Sequence, residues 1–178
     1  VRNNGVWTQQ AYLKAGNSGI QDFFGIAVAV SGETALIGAS GENSNAVGVN
    51  GDGANNTLQF AGAAYIFVRN NGVWTQQAYL KASNTDAFDS FGAVLALSGD
   101  TAIVAAYRED SNATGVNGDQ SNNVASNAGA AYVFVRSGTN WAQQAYLKAS
   151  NTGAGDLFGY PVAVSGDTVV VGAYYEDS

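Results

Sequence analysis

The chain has 178 residues, a formal net charge of −7 and 12% charged residues, with no Cys, no His, no Met and one Pro. Without His or Cys, Ser-His-Asp, Cys-His and His-metal sites are excluded within the chain, and no disulfide framework is possible. A net acidic chain with few Lys and Arg disfavours nucleic acid, and no apolar run approaches the roughly 20 residues of a membrane span.

Residues 1–15, VRNNGVWTQQAYLKA, recur unchanged at 68–82 and again, as VRSGTNWAQQAYLKA, at 135–149. Phe24-Gly25 recurs as Phe91-Gly92 and Phe158-Gly159, so the offset is 67 residues at every step, with no insertion or deletion. Such self-similarity marks a repeat architecture. The start within this pattern, without an initiator Met or a secretory leader, leads us to expect a mature or trimmed product or a piece of a longer protein.

In chain order, residues 1–23 supply an outer strand and a linker. Ala27 to Val30 is a short apolar strand, closed by the turn Ser31-Gly32-Glu33-Thr34, in which Gly supplies a positive φ. Thr34 to Ala39 is apolar throughout, as a strand buried on both faces requires. A polar run of about twenty residues follows and contains VNGDGANN, which returns at 116–123 as VNGDQSNN. Gly62 to Arg69 is the third strand, Asn71-Gly72 a tight turn, and Trp74 to Ala82 an alternating, half-exposed fourth strand. Alternation places Trp74, Gln76, Ala78 and Leu80 on one face and Thr75, Gln77, Tyr79 and Lys81 on the other. Ser83 to Ser90 links to the next unit.

Four strands per repeat, growing more polar from first to fourth, with no helical period, predict an all-β chain of four-stranded antiparallel propeller blades. A parallel β-helix fits less well, because its coils are shorter and its strands do not come as hairpins. The expected units are the end of an incomplete blade at 1–23, complete blades at 24–90 and 91–157, and the first two strands of another at 158–178. About two and two-thirds blades do not close a ring. The expectation is a larger propeller or an open, head-to-tail assembly completing the missing neighbours, and a non-closing contact of that kind gives a filament.

The Phe-Gly pairs, each followed by an apolar strand and then by Gly38-Ala39, Ala105-Ala106 or Gly172-Ala173, resemble the frame of FG-GAP repeats. These build the seven-bladed propellers of integrin α-subunits and of bacterial surface proteins, and the long form seen here is similar to the bacterial branch. The resemblance implies a non-catalytic extracellular or cell-surface module for adhesion, recognition or structural self-assembly. It also implies a protein or glycan ligand on the face where the long loops gather. Two departures stand out. The closing Pro of the motif is replaced by Ser40, Tyr107 and Tyr174. The integrin-type Asp-x-Asp-x-Asp-Gly calcium run between first and second strands is absent, so that calcium chemistry does not transfer to the first hairpin.

Calcium takes six to eight oxygen ligands. Glu109, Asp110, Asn117, Asp119, Asn122 and Asn123 offer oxygens in one long loop, and Glu42, Asn43, Asn50, Asp52, Asn55 and Asn56 in the other. The EF-hand pattern fails at Ala54, and few carboxylates imply a weak site. The competing reading is a hydrated loop held by Asx-turns. Glu109-Asp110 and Glu176-Asp177 are the carboxylate pairs from which a carbohydrate-active propeller would draw, but adjacent residues on an extended chain point apart, and solvated loop charge is the simpler reading. Asp22, Asp89 and Asp156, two residues before each Phe-Gly, fit Asx-type caps better than the alternative, metal ligands. Trp7, Trp74 and Trp141, with Tyr12, Tyr79 and Tyr146, offer either a sugar-binding ladder or packing between blades, and their common register favours packing. Lys14, Lys81 and Lys148, with Arg2, Arg69 and Arg136, read as edge charges that discourage wrong pairing.

Overall fold

The computed structural model describes residues 1–177. Among them there is no helix, and twelve strands are formed. A short hairpin, β1 (Arg2–Asn3) and β2 (Val6–Trp7), opens the chain. Blade one comprises β3 (Phe24–Ser31), β4 (Thr34–Ala39), β5 (Ala63–Asn70) and β6 (Val73–Leu80). Blade two comprises β7 (Val94–Ser98), β8 (Thr101–Ala106), β9 (Ala130–Ser137) and β10 (Asn140–Leu147). A third sheet holds β11 (Phe158–Ser165) and β12 (Thr168–Ala173). Within each sheet the strands lie in chain order and every pairing is antiparallel. These are propeller blades in an unclosed set.

The 67-residue register explains the core. One face of blade two presents Phe91, Ala102, Val104, Ala106, Tyr132, Phe134, Trp141 and Tyr146. It packs against Leu36, Ala64, Ile66, Val68, Ala78 and Leu80 of blade one. Residues 67 positions away repeat each set. Phe24, Ile37, Ala39, Tyr65, Phe67, Trp74 and Tyr79 gather with Leu13 and Ala15 of the preceding segment. Ile103, Ala131 and Val133 meet Phe158, Val162, Val164, Val169 and Val171 of the next sheet. Each blade therefore has a forward and a backward apolar face, and burying one large apolar side chain there contributes about 1.5–3 kcal/mol.

The Phe-Gly step stitches the blades together. Phe91 N–H donates to Ala61 O at 3.1 Å and Gly92 N–H to Ala105 O at 3.0 Å, and Phe91 bridges Gly62 in parallel. Gly92 has φ +87°, and a Cβ there would stand 2.1 Å from Ala63 O. Only glycine permits that approach.

Three sequence expectations change. Strict alternation in the fourth strand fails, because the β5–β6 register slips at Gln77 and the β9–β10 register at Gln144. One bulged residue brings Trp74 and Tyr79 onto the same face, away from Ala78 and Leu80. Second, residues 8–15 form no strand. They run as extended chain against blade one, where Gln10 Oε1 accepts from Trp74 Nε1 at 3.1 Å. Among the described residues, no third strand lies beside them to complete a ladder. Third, the innermost strand of blade one is longer than Ala27 to Val30, because Phe24 already pairs with Ala39.

Candidate functional site

The hairpin turns at 32–33, 71–72, 99–100, 138–139 and 166–167 all lie at one end of the blades. The long loops 40–62 and 107–129, with the linkers before β3, β7 and β11, lie at the opposite end, as strand polarity requires. That loop end is the candidate site.

Its floor is a buried polar network. Lys148 Nζ donates to Glu109 Oε2 at 2.7 Å, and both side chains are almost fully buried. Glu109 Oε1 accepts from Asn84 Nδ2 at 2.8 Å and Tyr146 OH at 2.9 Å. Tyr132 OH donates to Asn84 Oδ1 at 2.6 Å, and Ser111 Oγ lies 2.6 Å from Tyr146 OH. Blade one repeats the arrangement with Lys81 Nζ on Glu42 Oε2 at 2.9 Å, Asn17 Nδ2 on Glu42 Oε1 at 3.2 Å and Tyr65 OH on Asn17 Oδ1 at 2.8 Å. Asn17 and Asn84 come from linkers, Glu42 and Glu109 from the starts of long loops, and the lysines from the ends of outer strands. The network thus ties three loop-end segments to one point. Burial lowers the ammonium pKa of Lys81 and Lys148 while the paired glutamates raise it. Burial pushes the Tyr65, Tyr79, Tyr132 and Tyr146 phenols above their ordinary value, so they stay protonated donors.

This corrects two readings. Lys81 and Lys148 are not exposed edge charges but the cations of buried pairs. Glu109 is not a solvated loop charge. The edge reading fails because the chain turns into the loop end at Lys81 and Lys148, where carboxylates 39 positions earlier fold back over them. Arg69 and Arg136 do lie at the turn end. Arg69 pairs with Glu33 at 2.6 Å (Nη2 to Oε1) and Arg136 with Asp100 at 2.7 Å, each guanidinium also lying over a Trp ring.

The remaining oxygen-bearing candidates are spread along the loops. Asp110 Oδ1 accepts from Asn127 N–H at 2.7 Å. Asn50 and Asn117 Oδ1 accept from the N–H groups of Tyr79 and Tyr146, each at 2.9 Å. Asp52 Oδ1 accepts from Ala54 N–H at 2.9 Å and Asp119 Oδ1 from Ser121 N–H at 3.0 Å, two Asx-turns at the loop tips. Asn43 Oδ1 accepts from Phe60 N–H, and Asn55 and Asn122 brace the same loops. Asn123 bonds Asp86, while Asn56 is exposed. Among the described residues, no group of three or more His, Cys, Asp or Glu side chains is arranged to hold a metal ion.

Asp22, Asp89 and Asp156 are buried caps, their carboxylates accepting from Gly19, Asp86 and Gly153 N–H. Burial, with Glu109 nearby, pushes the Asp89 carboxyl up to about 8. Trp141 and Tyr146 pack between blades, and Trp141 Nε1 donates to Gln77 Oε1 of the preceding blade at 2.9 Å. Trp7 and Tyr12 are exposed.

Sequence reasoning missed a different set of aromatics. Phe23, Phe60 and Phe88 stack in a row at the loop end, with centroids 6.3 and 6.0 Å apart and both interplanar angles 24°. Tyr107 and Tyr174, the residues that replace the closing Pro of the motif, form a second row with Tyr160, 5.6 and 5.8 Å apart. The available signal for the phenylalanines was their departure from the repeat: Phe60 answers to Asn127, and Phe23 to Ser90.

The fold and the loop end together define a non-closed β-propeller repeat module. A family model for the FG-GAP repeat matches residues 7–67, 74–134 and 141–178, and the chain belongs to that family. The three matches start 67 residues apart at the outer-strand Trp, and the first two run into the third strand of the next blade. No curated protein matches the chain, and no helix among the described residues is long and apolar enough to cross a membrane.

Proposed function

We propose that the chain is a non-catalytic, extracellular or cell-surface recognition module that binds a protein or glycan through its loop end. One observation carries this reading: the same buried Lys–Glu–Asn–Tyr network recurs under both long loops. A network whose Lys–Glu, Asn–Glu and Tyr–Asn links repeat holds loops rigid, which is what a recognition surface on a scaffold needs. An enzyme would instead single out one unit with carboxylates facing a cleft. Here Glu42 and Glu109 are consumed in equivalent ion pairs. Membership in a repeat family typical of adhesion proteins supports the same conclusion.

The test is an array carrying both glycans and matrix proteins, probed with the whole chain, alongside a glycoside-hydrolysis screen. Saturable capture without turnover is expected. Turnover abolished by Glu109→Gln would replace the reading with a carbohydrate-active one.

A second reading concerns self-association. Val28 and Val30 of β3 are exposed, whereas their register equivalents Leu95 and Leu97 pack on blade one. The forward face of another copy offers the matching surface, so head-to-tail contact and filament growth are the expected behaviour at high concentration. A concentration-independent mass of one chain in light scattering would contradict it.

A further inference from the structure

The row Phe23–Phe60–Phe88 is out of keeping with its own repeat. All three residues have left-handed backbone, with φ of 55°, 52° and 69°. A bulky side chain is strained in that region. The fold imposes the conformation whatever the residue. Ser90 and Leu157 occupy the position of Phe23 with φ of 57° and 54°, Asn127 that of Phe60 with 54°, and Gln21 that of Phe88 with 63°. Asn tolerates this region well, so the backbone does not ask for phenylalanine. Nor does the core. Phe23 and Phe88 are about half exposed, at 50% and 52%, and the three rings belong to none of the apolar clusters between blades. Three aromatics in a half-exposed row, where neither the backbone nor the cores between blades call for them, have a reason outside the chain.

The surroundings restrict the partner. Asp22 and Asp89, the charged residues within 20–23, 58–61 and 87–90, are buried, and the half-buried Asp86 just before them accepts from Asn123. The amides Gln21 and Gln59 stand exposed beside the rings. A ligand here meets apolar ring surface flanked by uncharged donors and acceptors. That matches a pyranose, with an apolar C–H face and a rim of hydroxyls. The rings lie near-parallel with centroids 6.3 and 6.0 Å apart, and a row of three suits a linear chain more than a single monosaccharide. A protein partner would take a broader patch with a polar rim.

We infer that the Phe23–Phe60–Phe88 row is a binding site for an uncharged linear oligosaccharide. The inference rests on the recognition reading and specifies its ligand. The test borrows the protein's own residues: Phe23→Ser, Phe60→Asn and Phe88→Gln each install the side chain of an equivalent position. Whole chain and triple variant are titrated calorimetrically with cellohexaose, maltohexaose and chitohexaose, with oligogalacturonate as the charged control and matrix proteins on a parallel array. The expected result is binding of at least one neutral hexasaccharide, weakened about tenfold or more in the triple variant, with Tm kept or raised. If the triple variant does not fold, Phe60→Asn alone carries the test by the same criterion. Absent neutral binding, binding unchanged in the variant, or equal binding of oligogalacturonate overturns the inference. Capture of proteins only overturns it while leaving the recognition reading standing, and capture of neither class overturns both.

Discussion

Lys148 Nζ sits 2.7 Å from Glu109 Oε2 with both side chains almost wholly out of water, and 67 residues earlier Lys81 and Glu42 repeat the pair at 2.9 Å. Breaking such a pair leaves an uncompensated buried charge. Lys148→Met is expected to cost about 3–5 kcal/mol, measured by urea unfolding. Adding Glu109→Gln removes the stranded charge and keeps an acceptor for Asn84 and Tyr146. That double variant should recover most of the loss, whereas an unaltered loss would contradict the ion-pair account.

Asp89 gives a pH dependence with a definite sign. Its folded carboxyl is pushed up to about 8 by burial, then by Glu109, with Asp86 and Asp110 contributing. The folded state therefore binds the proton more tightly than the unfolded chain. This group's contribution is fully present below the unfolded value near 4 and is lost as pH rises through about 8. Asp89→Asn keeps an acceptor for Asp86 N–H without a charge. It should raise stability at pH 8.5 by about 2 kcal/mol and change it little at pH 4. An equal effect at both pH values would show that Asp89 is not the titrating group.

The Phe-Gly step makes a third prediction. A Cβ at Gly92 would meet Ala63 O at 2.1 Å, whereas one at Gly99, also at positive φ, meets nothing within 4 Å. Gly92→Ala should cost about 3 kcal/mol or more and Gly99→Ala about 1 kcal/mol, from backbone strain alone. Equal costs by thermal unfolding would mean that the close contact between blades does not matter to stability.

The long-loop oxygens lead to a fourth. Glu42 and Glu109 face lysines, and Asp52, Asp110, Asp119, Asn50 and Asn117 each accept a backbone N–H. With these partners in place, millimolar calcium is expected to leave Tm unchanged. A rise of several degrees, reversed by chelator, would assign a calcium role to the loops.

The blade architecture was legible because hairpin turns, apolar runs and the Phe-Gly step all obey one spacing. What the spacing hid is equally specific. Gln77 and Gln144 occupy ordinary strand positions in the sequence, and only the cross-strand register shows that each is bulged and turns Trp74 or Trp141 to the other face. Lys81 and Lys148 follow amphipathic strands and look solvent-facing, because a partner 39 residues upstream leaves no local pattern. Phe23, Phe60 and Phe88 went unnoticed for the opposite reason. A search for what repeats passes over what does not, and left-handed φ at a phenylalanine has no signature in one sequence.

The most direct test compares the two ends of the blades in one binding assay. Phe23→Ser/Phe60→Asn/Phe88→Gln alters the loop end, and Asn71→Asp/Thr139→Ser alters the turn end at exposed positions. With both variants folded, the account predicts that capture of the array ligand is lost with the first and kept with the second. Capture that survives the first and is lost with the second would place recognition at the turns and contradict the account.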